Sequence, residues 1–362
     1  MLSPRALWIN WRNTLLSSPK FQRFAADFWP IRAIAHRRTD ALFDLVAGFV
    51  YAQILHACVQ LNVLTKLKDG PLEARVLADS AELPAPAMER LLRAAAALEL
   101  VEHVGDRFAL GAHGAALLGN AGLADMIRHH DKLYADLADP VGLLRRGRGE
   151  HLAGYWPYAT SSDPGAAGAS AVADYSALMG ATQPAVAADI IDAYSMRQHR
   201  IVMDVGGGEG AFLAALSARW PHLQLRLFDL PAVAERATRN LPSVTVFGGD
   251  FLSDPLPLGA DLITLVRILH DHDDEGVVRL LQAARAALAP GGVLLIAEPM
   301  SAAPRPDRVA EAYFGLYLLA MGRGRARSPV LLRAWLKQAG FRRTRMLRVR
   351  TPALLRVLVA KA

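Results

Sequence analysis

Cysteine is almost missing from this chain: Cys58 stands alone in 362 residues. One thiol excludes a disulfide framework and fits a reducing compartment such as the cytoplasm. Lysine is scarce too, so arginine supplies most of the formal net charge of +7. Long apolar runs are also lacking. The most apolar stretch, residues 41–63, is interrupted by Asp44, Gln53, His56, Gln60 and Asn62, short of the ~20 apolar residues that span a bilayer. Nothing at the start has the basic, apolar, small-residue order of a secretion signal. The expectation is a cytoplasmic protein, soluble or peripheral on the inner face of a membrane. No internal repeat is evident. What the chain does have is length and apolar content: 52% hydrophobic residues allow two domains with sizeable cores.

Residues 204–211 read DVGGGEGA, between an apolar run at 201–203 and a helical pattern at 212–216. A buried parallel strand is expected to end in Gly206, Gly208 and Gly210, where a helix begins. Glycines there remove Cβ atoms, so a ligand can lie against bare backbone N–H groups. The spacing also fits a dinucleotide fingerprint. Two further strand ends narrow the choice. Residues 225–228 lead into Asp229-Leu230-Pro231, and 244–247 lead into Gly248-Gly249-Asp250-Phe251. A carboxylate after the second strand suits ribose hydroxyls. Asp250 can accept from an adenine amino group while Phe251 packs on the ring. Each Asp alone would be read as a helix cap or turn former. Three acidic residues at successive strand ends point to an adenosine-type cofactor.

A fourth strand, 261–266, runs into Arg267-Ile268-Leu269-His270-Asp271-His272-Asp273-Asp274-Glu275, and a fifth, 293–297, ends in Glu298-Pro299. In a doubly wound sheet these ends lie beside the glycine turn, which brings His270 and Glu298 to the cofactor. A neutral imidazole is the usual general base near pH 7, and a carboxylate on its other nitrogen raises its basicity. Metal ligation is the rival reading of residues 270–274. The spacing matches no facial triad or zinc pattern, and 273–275 reads better as a helix's first turn; no metal is expected. Residues 342–348 and 354–359, joined through Thr351-Pro352, imply an antiparallel hairpin closing the sheet. A six-strand dehydrogenase would continue with crossovers.

DVGGGEG, FDLP (228–231), GGDF (248–251), RILHDHDDE (267–275) and AEPM (297–300) together resemble the successive motifs of the S-adenosylmethionine-dependent small-molecule O-methyltransferases, the caffeate and acetylserotonin type. The segments ALFDLVAGFVYAQ (41–53) and LYADLADPVGLLRRG (133–147) are most similar to the bacterial carotenoid subgroup, of demethylspheroidene or hydroxyneurosporene type. The resemblance implies a class I methyltransferase Rossmann-like sheet with an antiparallel last strand. It also implies a mainly helical, winged-helix-like dimerisation domain before that sheet. It makes Asp204, Gly206, Gly208 and Gly210 the methionine and ribose cradle, Asp229 with Leu230 the ribose contacts, and Asp250, Phe251 and Arg267 the adenine side. His270 becomes the base and Glu298 its hinge. Relatives bracket the histidine with a second glutamate in a K-E-R-T-like segment. Here that segment is Arg325-Ala326-Arg327-Ser328, with Ala326 in the glutamate's place, and Met321 replaces a polar-gripping asparagine; both changes make the pocket less polar.

Three regions are expected: a basic, aromatic lead at 1–40, a helical half at 41–195, and the cofactor domain at 196–362. In the second, Phe43, Val46, Val50 and Ile54 recur at helical spacing and read as a buried face. A helix at 84–98 followed by a hairpin at 101–110 looks winged-helix-like, which leaves a cofactor-sensing DNA-binding regulator as the non-enzyme alternative. Enzymes that the chain resembles use this module to form a homodimer. Residues 161–170 read as a loop. The lead interleaves Trp8, Trp11, Phe21, Phe24, Phe28 and Trp29 with basic residues, which suits contact with a membrane interface rather than nucleic acid. Tyr313, Tyr317 and Met321 on the helix after Glu298, with Tyr175 and Met179, are candidate walls for an apolar hydroxylated acceptor. A phenol or another hydroxylated metabolite is the alternative acceptor.

Overall fold

A computed structural model describes residues 3–155, 169–301, 307–351 and 355–362, without the side chains of 121, 155, 169–179 and 181. The chain divides into two compact units, Met1–Leu118 and Gly119–Ala362. The sequence pattern placed a border at 195/196. The helix at Ala121–Leu137 lies in the second unit, where Leu133 packs with Leu143, Leu152, Tyr317 and Met321.

The first unit begins with helices Pro4–Ser17 and Pro19–Asp27, each started by a serine side chain that accepts a backbone N–H, with proline at the first helical position. The long helix Arg32–Gln60 follows. Helices Ala74–Ser80 and Ala85–Ala97 precede a hairpin of β2 (Val101–Val104) and β3 (Arg107–Leu110), and the short β1 (Leu72–Glu73) pairs with β3. The helix, helix, hairpin order thus appears as the sequence implied. The face at Phe43, Val46 and Val50 does not. Phe43 is 62% and Val46 64% exposed, and only His56, Cys58 and Val59 of that helix are buried. Helical periodicity registers an apolar face without saying whether the chain's own residues or a second chain cover it. The same helix has an 18-residue window of mean hydropathy 1.7, long and apolar enough by composition to cross a bilayer, although the polar interruptions counted in the sequence excluded a span.

The second unit is a three-layer sandwich. β4 (Ile201–Val205), β5 (Gln224–Asp229), β6 (Thr245–Gly248), β7 (Ala260–Val266) and β8 (Leu288–Glu298) run parallel in the order β6-β5-β4-β7-β8. β9 (Arg343–Leu347) and β10 (Arg356–Lys361) close the sheet, with β10 antiparallel between β8 and β9. Successive strand residues point to opposite faces. Met203, Ile263, Leu294 and Ile296 therefore meet helices Asp274–Ala287 and Pro329–Gln338, while Val202, Leu262, Leu295 and Ala297 meet helices Ala169–Ala193 and Ala211–Arg219. Burial on both faces explains why these strands read as apolar runs rather than alternating ones. One difference concerns the single helix expected after Glu298. It is a π-helical turn, Arg308–Tyr313, that passes into the α-helix Phe314–Met321. The loop expected at 161–170 falls, except for its last two residues, outside the described residues.

Candidate active site

The parallel strands bring the motifs to one edge. After β4, Gly206, Gly208 and Gly210 all take left-handed φ values, +72°, +58° and +84°, which L side chains adopt at a cost. A side chain at Gly206 would collide with Ile268, and the Phe251 ring stands 3.6 Å from the same point, whereas Gly208 faces open space. At the end of β5, Asp229 Oδ2 accepts the Gly208 N–H at 2.8 Å and Oδ1 accepts that of Leu230 at 2.7 Å. Burial pushes this carboxyl up to about 6 against the pull of those two N–H groups. Asp204 lies beneath the turn, accepts the Thr264 hydroxyl at 2.6 Å, and is pushed up to about 7 by burial. Its second oxygen has no partner among the described residues.

Asp250 shapes its own loop: Oδ1 accepts the Leu252 N–H at 2.9 Å, and its N–H donates to Asp254 at 2.8 Å. Phe251 meets the edge of His272 at 5.2 Å, which ties the third strand's end to the fourth's. Arg267 takes a left-handed φ of +59° and donates to the Thr182 hydroxyl at 2.7 Å.

His270 sits in a short 3₁₀ turn, Leu269–Asp271, immediately after β7. The buried Glu298, which ends β8, hydrogen-bonds its Nδ1. This is the pairing the strand order implied. Glu298 does more than hold the ring, because it also accepts the N–H groups of Ile268 at 2.7 Å and Leu269 at 2.6 Å. The other nitrogen is also occupied. His270 Nε2 lies 3.0 Å from Oδ1 of Asp271, which is buried. Burial disfavours the charged imidazole, but the carboxylates of Asp271 and Glu298 outweigh it and hold the pKa above the usual histidine value. Burial pushes the Asp271 carboxyl up to about 7, with His270 opposing. The second carboxylate at this histidine therefore comes from the next residue, not from position 326. Sequence reading placed Asp271 only among rival metal ligands; the adjacent His-Asp pair was its one signal. The remaining acids of that run have other partners. Asp273 caps the helix Asp274–Ala287 through the Gly276 N–H at 2.7 Å, and Asp274 pairs with Arg325 and Arg327.

The face beyond His270 is aromatic. The Phe314 ring meets His270 at 6.1 Å, Tyr313 meets Phe314 at 5.1 Å, and Tyr313 stacks on Tyr317 at 5.8 Å. Both tyrosine hydroxyls are held by histidines of helix Ala121–Leu137: Tyr317 by His129 at 3.0 Å and Tyr313 by His130 at 2.8 Å. Burial, then the neighbouring His130 and Lys132, lowers His129 to about 4, so it is neutral near pH 7. Sequence reading missed both histidines. Met321 is buried with Leu133, Leu143 and Leu152 and acts there as packing. Tyr175 and Met179 lie in helix Ala169–Ala193, but their side chains fall outside the described residues. A cavity of about 610 Å³, lined by residues such as Asp192, Arg197, Trp220 and His222, lies where the chain enters β4 and β5, at the opposite strand ends.

A glycine turn, an acid at the end of the second parallel strand, and a histidine–carboxylate pair at the fourth and fifth thus meet at one edge of the sheet. Residues 134–342 match the O-methyltransferase domain, and residues 43–125 match the O-methyltransferase dimerisation domain. Demethylspheroidene O-methyltransferases of Cereibacter sphaeroides and Rhodobacter capsulatus are 43% and 42% identical. The alignments cover 90% and 91% of this chain and 88% and 83% of theirs. Acetylserotonin O-methyltransferase of Mus musculus is 30% identical over 86% of both chains. Among solved structures, mitomycin 7-O-methyltransferase superposes with a TM-score of 0.72 at 26% identity, over 91% of this chain and 99% of that one. Human N-acetylserotonin methyltransferase, in complex with S-adenosylmethionine, shares the fold at a TM-score of 0.75 and 23% identity, over 90% and 97%. The chain belongs to the S-adenosylmethionine-dependent O-methyltransferases, with a dimerisation domain ahead of its catalytic one.

Proposed function

We propose that this enzyme methylates a hydroxyl of a long apolar acceptor, a hydroxylated carotenoid of the demethylspheroidene type, with His270 as the general base. The observation that carries the reading is the His270 ring, held between the carboxylates of Glu298 and Asp271 and faced by Phe314. The acceptor class rests on the two relatives above 40% identity. It is supported by a wall whose tyrosine hydroxyls are turned to histidines.

The turn at Gly206–Gly210 would hold the methionine and ribose portion of the cofactor, with Asp204 supporting it from below. Asp229 and Leu230 would meet the ribose, and Asp250, Phe251 and Arg267 the adenine. When bound, S-adenosylmethionine supplies an electrophilic methyl group on a sulfonium, already a good leaving group. The chain's work is then to align the acceptor oxygen and to take its proton. Glu298 holds the proton on Nδ1, which directs the Nε2 lone pair toward the acceptor side. There the acceptor hydroxyl takes the place of Asp271, and its proton passes to Nε2. An aliphatic alcohol is far too weak an acid for imidazole to ionise, so proton removal accompanies methyl transfer.

His270→Ala tests the base. With demethylspheroidene as acceptor, turnover should fall by roughly 10²–10⁴ while calorimetry shows cofactor affinity unchanged. Turnover near that of the wild type would reassign His270 to holding its loop.

In this reading residues 196–362 form the cofactor domain and 41–195 the helical half. The protein works on the cytoplasmic face of a membrane, touched through residues 1–40. Trp8, Trp11, Phe24, Phe28 and Trp29 are all exposed among arginines, as suits rings at headgroup level and cations over anionic lipid. Removing residues 1–30 should reduce flotation with anionic liposomes and leave cofactor binding intact. Equal flotation of both forms would reject the contact.

A further inference from the structure

The turn carrying His270 is gripped from two sides by groups of opposite charge. Glu298 takes its N–H groups: Ile268, Leu269 and, at 3.4 Å, His270 itself. Arg327 takes its carbonyls. Nη1 donates to the Leu269 oxygen at 2.5 Å and Nη2 to the His272 oxygen at 2.6 Å, one on each side of His270. Nε and Nη2 also donate to Asp274 Oδ1 at 3.0 and 2.8 Å. The guanidinium lies 5.5 Å over the Trp335 ring, and the residue is only 3% exposed.

The backbone completes the arrangement. Arg327 bridges Met300, two residues beyond Glu298, and accepts the Ser301 N–H at 3.1 Å. Gly324, at φ +82°, packs so closely on the His270 carbonyl and the Asp271 backbone that no side chain fits. Burying a guanidinium is costly unless its donors are satisfied, and an apolar residue would pack as well against Trp335. What an apolar residue cannot do is satisfy two carbonyls of a turn whose geometry aims one ring.

We propose that Arg327 is a positioning residue for His270, acting with Glu298 as the two halves of one clamp. It rests on the reading of His270 as the base. The segment that lacks a carboxylate at Ala326 thus still serves the base, through the backbone rather than the ring.

The test uses the full-length protein with S-adenosylmethionine and demethylspheroidene. In Arg327→Met, kcat should fall roughly 10- to 100-fold, as for a misplaced reacting group, while KM for S-adenosylmethionine stays within about twofold of the wild type. The low-field proton resonance of the His270 Nδ1–H to Glu298 bond should broaden or vanish. Arg327→Met combined with Glu298→Gln should lose little more than the worse single change, because both break one clamp. Wild-type kcat with an unchanged resonance overturns the proposal, as does a fully additive double variant. Should the methionine variant fail to fold, Arg327→Lys keeps the charge but reaches only one carbonyl. It should give an intermediate kcat and a broadened resonance, and wild-type values for both would overturn the proposal. The resonance reports ring position whether or not His270 is the base. Wild-type turnover in His270→Ala therefore defeats the catalytic reading separately from the positioning one.

Discussion

Carboxylates at both nitrogens of His270 make its titration depend on pH in a definite direction. Asp271 and Glu298 favour the imidazolium against burial, so the ring keeps its proton to a higher pH than an ordinary histidine. A protonated ring cannot accept the acceptor's proton, so kcat/KM should fall on the acid side with a limb above about pH 6.5. Asp271→Asn removes one negative charge that favours the imidazolium, and the limb should move to lower pH. A pH–rate profile checks this, and an unmoved limb would mean that another group controls it. Asp204 permits a stability prediction. Its folded pKa is raised by burial to about 7 from 3.8, so its contribution to stability is full below about pH 4 and is lost as pH rises toward 7. Asp204→Asn keeps the acceptor for Thr264 and removes that loss. Its Tm relative to the wild type should rise between pH 4.5 and 8; a constant difference would count against a buried charge.

Elements rather than single residues decide how tightly the glycine turn after β4 can close. The left-handed backbone of Gly206–Gly210 lies against Ile268 from the His270 turn and Phe251 from the loop after β6. Gly206→Ala must adopt a left-handed conformation, at roughly 1–2 kcal/mol, and push Ile268 away. We expect weaker S-adenosylmethionine binding by calorimetry together with reduced kcat, because Ile268 is anchored to Glu298. Unchanged affinity would place the cofactor away from this turn. The glycine spacing and strand-end acids were legible because a doubly wound sheet leaves one place for a ligand. The second carboxylate at His270 was not. Sequence shows that Asp271 follows His270 but not that the 3₁₀ turn folds its side chain back onto Nε2. Arg327 was visible only as a member of the segment around Ala326, since its role depends on the residues after β8 running beside its own segment.

For the whole molecule, the helix Arg32–Gln60 raises the issue of what covers it. Leu45 is 75% and Phe49 73% exposed, and both lie within the residues that match a dimerisation domain. An apolar face of this extent marks an interface, and a homodimer accounts for it. Phe49→Glu should shift the protein toward monomer by light scattering at micromolar concentration. A dimer of unchanged strength would move the interface off this helix, leaving its apolar face to lipid.

Much of this protein follows from sequence alone: the strand ends that carry glycine, acid and histidine, the antiparallel closing hairpin, and the pairing of His270 with Glu298. These follow because the order of parallel strands dictates which loops become neighbours. Tertiary structure decided the rest. It turned Asp271 onto the ring, set Arg327 against the carbonyls around His270, tied the tyrosine hydroxyls to His129 and His130, and left Phe43 and Val46 uncovered within one chain. Hydrophobic periodicity reports that a face is apolar, and composition reports which charges exist. Only the packed chain determines which charges meet and which apolar faces remain for a partner to cover.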